Sequence, residues 1–155
     1  MSSVLERSFK VLDHLSAHPQ GCALSSIAGE LDIPLSACHR LLSELVRGGY
    51  VRQDPLDGHY VLTMKLVSMG LSFLSNSGVV DVAQPLLDQL AATSGELIRL
   101  AVVDGEDLTF VAKAQGATHG LRYDPDMGLS VPLWCSSAGH AWLSTMAEDA
   151  AMGQV

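Results

Sequence analysis

The stretch LSSIAGELDIPLSACHRLLSELVRGGYVRQDPLDGHYVL, residues 24–62, decides the fold of the first part of this chain. Its first third predicts a short helix over residues 25–31, with Ser25 as the N-cap. Asp, Ile and Pro at residues 32–34 then form a turn. Apolar residues recur at helical spacing over residues 35–47, which predicts a longer second helix of the motif. The order helix, tight turn, helix is that of a helix-turn-helix unit.

The flanking residues complete a winged form of this unit. Two glycines at 48–49 end the longer helix, as glycine commonly does just past a helix terminus. Asp57-Gly58 between β-prone segments predicts an antiparallel hairpin over residues 50–62. Upstream, apolar rows at helical spacing predict a helix over residues 3–17. Three helices followed by a hairpin predict a winged helix-turn-helix over residues 1–62.

This unit places small and polar side chains at the front of its longer helix, the part that enters the major groove of duplex DNA. Ser36 and His39 can hydrogen-bond base edges or phosphates, and Ala37 can meet a thymine methyl group. Cationic side chains would position the protein on the phosphates. The further candidates for DNA contact are Arg7, Lys10, Ser25, Arg40, Arg47, Arg52 and, at the wing tip, His59.

The charge balance leaves an alternative open. The net charge is −8, yet residues 1–65 carry six cations against seven acids, whereas residues 66–155 carry three against ten. The acidity therefore belongs to the second part. Helix-turn-helix units also serve as protein-interaction modules, His39 can be an ordinary surface histidine, and Arg47 can pair with Glu44 at i, i+3. With few phosphate contacts a monomer would bind weakly, so DNA binding calls for a homodimer or tetramer.

The second part of the chain predicts a mixed α/β arrangement. One apolar helix, a candidate for dimerisation, is followed by a break and another helix that contains Pro85 or starts near Gln84. Two apolar runs around an Asp-Gly-Glu-Asp turn predict an antiparallel strand pair. In chain order the predicted elements are helix 63–75, break 76–78, helix 80–93, strands 97–103 and 108–114, short strands 121–123 and 129–131, and helix 137–147.

Other classes of function find little support in the sequence. The three cysteines, Cys22, Cys38 and Cys135, are irregularly spaced, and no CxxC or HExxH motif is present, so no metal site and no cofactor are expected. Cys135 and His140 are five residues apart, on roughly opposed sides of a helix, which argues against a thiol enzyme. No signal peptide and no membrane span are evident, so the expected location is cytoplasmic.

Residues 24–62 resemble the pattern LxELAxxLGLPKSTVHRLLxTLxxxGYVxxDxxxGxYxLG of IclR-type transcriptional regulators. A second patch, VPLWCSSAGHAW at residues 131–142, is similar to the LPLHCTAxGKALLA segment of that family. The resemblance implies that Ser36, His39 and Arg40 lie on the recognition helix, that residues 57–60 form the wing, and that Arg7 is the family's helix-one arginine. Leu35 and Ala37 depart from the family's lysine and threonine, which thins the expected DNA contacts.

The resemblance also implies an α+β chain in three parts. These are a winged helix-turn-helix at 1–62, a linker and dimerisation helix at 63–78, and the incomplete first part of a GAF-like effector domain at 79–155. A small-molecule effector is implied, at Leu133, Trp134, Cys135 and Ser136, with Ala138 and Gly139 nearby; alternatively, Trp134 and Cys135 are core residues. The predicted function is sequence-specific operator binding, as a regulator rather than an enzyme. The alternative is a truncated, DNA-silent module that forms mixed dimers with a full-length regulator.

Overall fold

The computed structural model describes residues 3–119 and 130–154. These form two compact units that divide between Phe73 and Leu74. The described residues form helices and two small antiparallel sheets, so the predicted α+β class is confirmed. The first unit contains α1 (Val4–Ser16), α2 (Leu24–Glu30), α3 (Leu35–Arg47), β1 (Val51–Gln53), β2 (Tyr60–Leu62) and the start of α4 (Lys65–Ser77). The second contains α5 (Val79–Ser94), β3 (Leu97–Asp104), β4 (Asp107–Gln115), α6 (Ser137–Leu143) and α7 (Glu148–Met152).

The three helices of the first unit enclose one apolar core. α1 begins with a reciprocal cap, in which Ser3 Oγ accepts from the Glu6 amide at 3.1 Å and the Glu6 carboxylate accepts from the Ser3 amide at 3.3 Å. α3 turns one stripe toward α1 and α2. The fully buried side chains of this core include Val11, Leu15, Ile27, Cys38, Leu42 and Val51.

The predicted N-cap at Ser25 is wrong. α2 begins at Leu24, its N-cap is Ala23 in extended backbone, and no side chain caps it. Ser25 therefore lies inside the first turn and is exposed. The physical reason is that Leu24 packs against the core, so burial of this side chain outweighs the capping preference of serine.

The wing is a hairpin that is joined by a third short segment. β1 and β2 pair antiparallel, with Val51 opposite Leu62 and Gln53 opposite Tyr60. Cys22, in the loop between α1 and α2, pairs with the outer edge of β2: its amide donates to the Tyr60 carbonyl at 3.1 Å and its carbonyl accepts from the Tyr60 amide at 2.8 Å. The wing is thereby tied to the loop that follows α1.

In the second unit α5 is one continuous helix. Of the two starts that the sequence left open, one near residue 80 and one near Gln84, the structure shows the first. It runs from Val79, after Gly78 with φ of +66°, and includes Pro85 in its interior, so a start near Gln84 is wrong. Pro85 lies on the exposed side of the helix, where water can satisfy the carbonyl that a proline leaves without an N–H partner. The break predicted at 76–78 is reduced to Gly78, since α4 continues to Ser77.

α5 and the β3–β4 hairpin form the body of the second unit. The strands pair antiparallel from Leu97 with Gln115 to Asp104 with Asp107, with a register irregularity at Leu100. One row of β4 is buried along its length. Ala112 and Ala114 pack with α5, whereas Leu108 and Phe110 pack with Val131 and, less deeply, with Leu133, Ala138 and Trp142.

The last described segment differs from its prediction. α6 ends at Leu143 rather than at residue 147, and α7 was not predicted. Ser144 Oγ and Thr145 Oγ1 donate back to the carbonyls of Ala141 and Trp142, both at 2.7 Å, which favours a turn over further helix. Of the predicted short strands, 121–123 lies outside the described residues. In the other, Ser130 bridges to Thr109, and the Val131 amide donates to the Leu108 carbonyl at 2.8 Å.

Within residues 3–119 and 130–154, no single helix is both long and apolar enough to cross a membrane. The successive helices α4 and α5 meet that requirement of length and composition only when they are taken as a pair.

Candidate nucleic-acid interface and ligand cleft

The outward face of α3 carries the side chains that were predicted to read DNA. Ser36, His39 and Arg40 are exposed, while Cys38, Leu41 and Leu42 hold the opposite face in the core. Ala37 is half-buried and packs against that core, so only part of its methyl group is available to a thymine. A shallow hollow between α1 and α3 is lined by Val4, His39, Arg40, Leu41, Ser43 and Glu44. α3 thus presents a small polar surface with one arginine at its centre.

The cations of the first unit divide into paired and unpaired groups. Arg47 forms an ion pair with Glu44, as their i, i+3 spacing in the sequence allowed. Arg52 lies 3.2 Å from Asp54, and Lys10 lies 3.3 Å from Glu6. In the described parts of the chain no acidic side chain lies within ion-pair distance of Arg7 or Arg40. These two arginines can therefore meet phosphates without first leaving a carboxylate.

The wing tip is ordered by its own carboxylates. Asp54 accepts hydrogen bonds from the Leu56 amide at 2.9 Å and from Arg52. The bond from the Leu56 backbone is the largest cause, and the bond from Arg52 the next, of a lowered pKa of the Asp54 carboxyl. Asp57 accepts from the His59 amide at 2.9 Å and also faces the His59 ring. His59 is half-buried at the base of this turn, whereas Ser25 is exposed on α2.

The second unit contains a cleft of about 650 Å³ that receives half of the residues predicted for an effector. Cys135, Ser136 and Ala138 line it from the α6 side. The lining also includes Glu96, Leu97, Arg99, Phe110, Pro132 and Ser137, which sequence reasoning did not select. The guanidinium carbon of Arg99 lies 3.2 Å from the Phe110 ring centroid. An arginine inside the apolar run LIRLAVV was the signal that could have identified the β3 side of this cleft.

The other predicted effector residues lie elsewhere. Leu133 and Trp134 line a separate hollow of about 390 Å³, together with Gln154. The alternative that Trp134 and Cys135 are core residues is wrong, because both side chains are exposed in this chain. Gly139 is buried against Leu133, where an added Cβ would lie 2.4 Å from the Leu133 carbonyl oxygen. Close packing of α6 against Leu133 therefore explains why a glycine stands at position 139 of the 131–142 segment.

The cysteines do not assemble into a catalytic site in the described residues. Burial raises the pKa of the Cys38 thiol, and burial together with the Glu30 charge raises the pKa of the Cys22 thiol. A raised pKa leaves a thiol protonated and weakly nucleophilic at neutral pH. His140 donates Nε2–H to the Trp134 carbonyl at 2.9 Å, so this nitrogen is already engaged with backbone rather than with a thiol.

Comparison with known families agrees with this architecture in both units. Residues 4–55 match the IclR helix-turn-helix domain, and residues 71–154 match the bacterial transcriptional regulator IclR C-terminal domain. The second match alone covers more than half of the chain. The chain belongs to the IclR family. The family consists of transcriptional regulators rather than enzymes.

Comparison with individual IclR-family proteins shows what share of their length this chain matches. The chain is 31% identical over 146 residues to the transcriptional repressor IclR of Escherichia coli, covering 94% of this chain and 53% of that protein. An IclR-family regulator from Brucella abortus has a similar structure, with a TM-score of 0.75 and 31% identity, over 99% of this chain and 58% of the other. The chain spans about half the length of the curated relatives it matches.

Another solved structure shares the fold. An IclR homologue from Microbacterium hydrocarbonoxydans, solved in complex with 4-hydroxybenzoate, has a TM-score of 0.78 and 22% identity. The match covers 97% of this chain and 63% of that one. At this identity the likeness establishes the shared fold.

Proposed function

We propose that this chain is a sequence-specific DNA-binding transcriptional regulator of the IclR type, whose operator is read by α3. The observation that carries the proposal is the outward face of α3, where Ser36, His39 and Arg40 are exposed at the front of a helix held by its buried stripe. A helix in this setting enters the major groove by its N-terminal part. Relatives that share the fold and about a third of the sequence are named as transcriptional repressors.

The contacts divide by chemistry. Ser36 and His39 would hydrogen-bond base edges, while Arg40 and Arg7 would bind phosphates and position the helix. Arg47 and Arg52 can contribute only by exchanging Glu44 and Asp54 for a phosphate, so their net gain is smaller. His59 on the wing, Ser25 on α2 and the half-buried Ala37 complete the proposed contact set.

We further propose that the chain divides into a DNA-binding unit at 1–62, a linker helix at 63–78 and an effector unit at 79–155. The chain would bind DNA as a dimer in which the two copies pair through residues 63–78. α4 has no buried residue in this chain, and Phe73 is 78% exposed, with Val67, Met69 and Leu71 also exposed. A second copy of the chain would cover this surface and double the phosphate contacts. Sedimentation equilibrium tests the pairing, and a strictly monomeric sample at micromolar concentration would contradict it.

Replacing Arg40 by alanine is expected to weaken operator binding by roughly 10–100-fold and to reduce the salt dependence by about one phosphate contact per protomer. The test is a gel-shift titration of upstream intergenic DNA at several salt concentrations. Arg47→Ala is the matched control, because it removes the same charge from the same helix but an arginine that is paired with Glu44. We expect Arg47→Ala to have the smaller effect.

Two results of this titration would count against the proposal. Equal losses in the Arg40 and Arg47 variants would show that α3 does not approach DNA with Arg40 in front. A dimeric wild-type sample that gives no salt-sensitive, sequence-dependent shift would favour the DNA-silent module that pairs with a full-length regulator.

We also propose that the cleft of the second unit binds a small organic carboxylate as effector. Arg99 supplies a guanidinium group held over the Phe110 ring, and Ser136 and Ser137, at the start of α6, supply hydroxyl groups to the same cleft. Glu96 also lines the cleft, so an acid that carries a hydroxyl donor matches both charges. The homologue in complex with 4-hydroxybenzoate, a hydroxylated aromatic acid, supports this class of ligand.

Replacing Arg99 by methionine is expected to weaken binding of 4-hydroxybenzoate at least ~10-fold, because a charged hydrogen bond to the carboxylate is lost. Isothermal titration calorimetry of the chain measures this change. Arg99→Lys should retain part of the affinity, and Trp134→Ala, which lies outside the cleft lining, should retain all of it. If Trp134→Ala loses binding and Arg99→Met keeps it, the ligand occupies the other hollow.

A further inference from the structure

Three metal-ligating side chains converge where α1 ends and the loop to α2 begins. His14, His18 and Cys22 follow the spacing H-x3-H-x3-C, and one ligand atom from each lies within 4.8 Å of the other two. The two imidazole rings are stacked, with centroids 4.4 Å apart. Cys22 is buried and pairs with Tyr60 through the backbone, so the cluster adjoins the wing.

One polar atom of this cluster is buried without a protein partner. The His14 side chain is only 8% exposed, and within residues 3–119 and 130–154 its Nε2 atom has no hydrogen-bond partner. Buried polar atoms are nearly always satisfied, so an unsatisfied nitrogen requires an explanation. A bound cation would supply the missing partner, since an imidazole nitrogen is a good ligand for transition metals.

The groups around the cluster are arranged as they are around metal-binding histidines. Such histidines commonly donate the second ring N–H to a backbone carbonyl or a carboxylate. His18 Nδ1 lies 2.7 Å from the His14 carbonyl, to which it can only donate, and this leaves Nε2 free to bind a metal. The Glu30 carboxylate lies 3.8 Å from His14 Nδ1, on the side away from the unsatisfied Nε2.

We propose that His14, His18 and Cys22 form a binding site for a divalent transition-metal cation, of which Zn²⁺ suits the ligands best. Two imidazole nitrogens and one thiolate are borderline-soft ligands that favour zinc over Mg²⁺ or Ca²⁺. The thiol proton of Cys22 passes to solvent when the metal binds. A water molecule would complete a tetrahedral site.

The position of the site indicates what the metal would do. It would join the end of α1 to the segment that pairs with β2, and thus fix the wing relative to the helices. The sequence prediction of no metal site relied on the absence of CxxC and HExxH motifs. His14 and His18 have the i, i+4 spacing of the two histidines in HExxH but lack its glutamate. Only the fold shows that a turn brings Cys22 back to the two histidines.

The test is a Co²⁺ titration of the 155-residue chain without DNA, followed by competition with Zn²⁺. We expect one equivalent of Co²⁺ to produce a thiolate-to-cobalt charge-transfer band that Zn²⁺ abolishes. At zinc concentrations of about 100 times the Kd, the Tm of the first unit should rise on the order of 10 °C. Because no DNA is present, the result is independent of the proposed regulatory function.

Matched variants separate this site from adventitious binding. Cys22→Ser should lose the charge-transfer band and weaken Zn²⁺ binding at least ~100-fold, beyond the effect typical of outer-shell changes. Cys135→Ser, which alters an exposed cysteine in the second unit, should retain the charge-transfer band and the wild-type Zn²⁺ affinity. If Cys22→Ser does not fold, His18→Ala provides the test, since His18 is outside the apolar core. Wild-type protein without the band, or full zinc affinity in the His18→Ala variant, would overturn the proposal.

Discussion

Replacing Gly139 by alanine is expected to lower the free energy of unfolding of the second unit by about 3 kcal/mol, at the upper end of overpacking effects. An added Cβ would lie 2.4 Å from the Leu133 carbonyl oxygen, 2.5 Å from the Leu133 Cα and 2.8 Å from its carbonyl carbon. All three atoms are backbone, so no side chain can rotate away. α6 must therefore move off the segment that contains Leu133, and the α6 wall of the cleft moves with it.

Tryptophan fluorescence in a urea titration measures this effect for the second unit alone, because the chain's two tryptophans, Trp134 and Trp142, both belong to it. Gly153→Ala is the matched control, since its added Cβ would meet backbone oxygens only at ordinary contact distances of 3.5 and 3.6 Å. We expect the control to unfold at the wild-type urea concentration. Coincident transitions for Gly139→Ala and Gly153→Ala would contradict the packing of α6 described above.

Replacing Gly21 by alanine is expected to destabilise the wing and the loop that holds it, also by about 3 kcal/mol. Two costs combine here. Gly21 has φ of +81°, a left-handed conformation that costs a non-glycine residue ~1–2 kcal/mol. The added Cβ would also lie 2.8 Å from the Tyr60 carbonyl oxygen and 2.7 Å from Val61 Cγ2, which brings an overpacking cost of roughly 1–3 kcal/mol.

Hydrogen exchange of the Tyr60 amide reports this change directly, because that amide donates to the Cys22 carbonyl at 2.8 Å. Its protection should fall about 100-fold, which corresponds to ~3 kcal/mol. Gly49→Ala is the matched control: its φ is +76°, but the nearest atom to an added Cβ is Lys65 Cδ, at an ordinary contact distance of 3.9 Å. We expect the Gly49→Ala control to lose only the stability that corresponds to the left-handed conformation, without the overpacking cost. Equal losses in both variants would mean that Gly21 does not contact the wing.

The Gly21 variant also connects stability with function. The wing is the element expected to approach the DNA backbone beside α3, and Gly21 is the point where the preceding loop touches it. A displaced wing leaves Arg40 and His39 on an unchanged α3. Operator affinity should therefore fall less than in the Arg40→Ala variant, provided that the first unit remains folded.

Local patterns predicted the first unit closely, and the errors have identifiable causes. α3 was predicted with its observed bounds, because its apolar stripe and its terminal glycines are short-range signals. The Ser25 cap was wrong because Leu24 gains more from the core than serine gains from capping. In the second unit, the end of α6 was missed because serine and threonine at 144–145 can hydrogen-bond back to preceding carbonyls as readily as they continue a helix.

The sequence by itself determined the winged helix-turn-helix, the strand pair of the second unit and the family, because these depend on periodicity, turn residues and motif order along the chain. Only the tertiary structure decided that no carboxylate from elsewhere in the described residues reaches Arg7 or Arg40, that Arg99 shares a cleft with Ser136, and that Cys22 returns to His14 and His18. Each of these depends on the distance between side chains from different elements. Such distances follow from how the core packs, and no local pattern in the sequence encodes them.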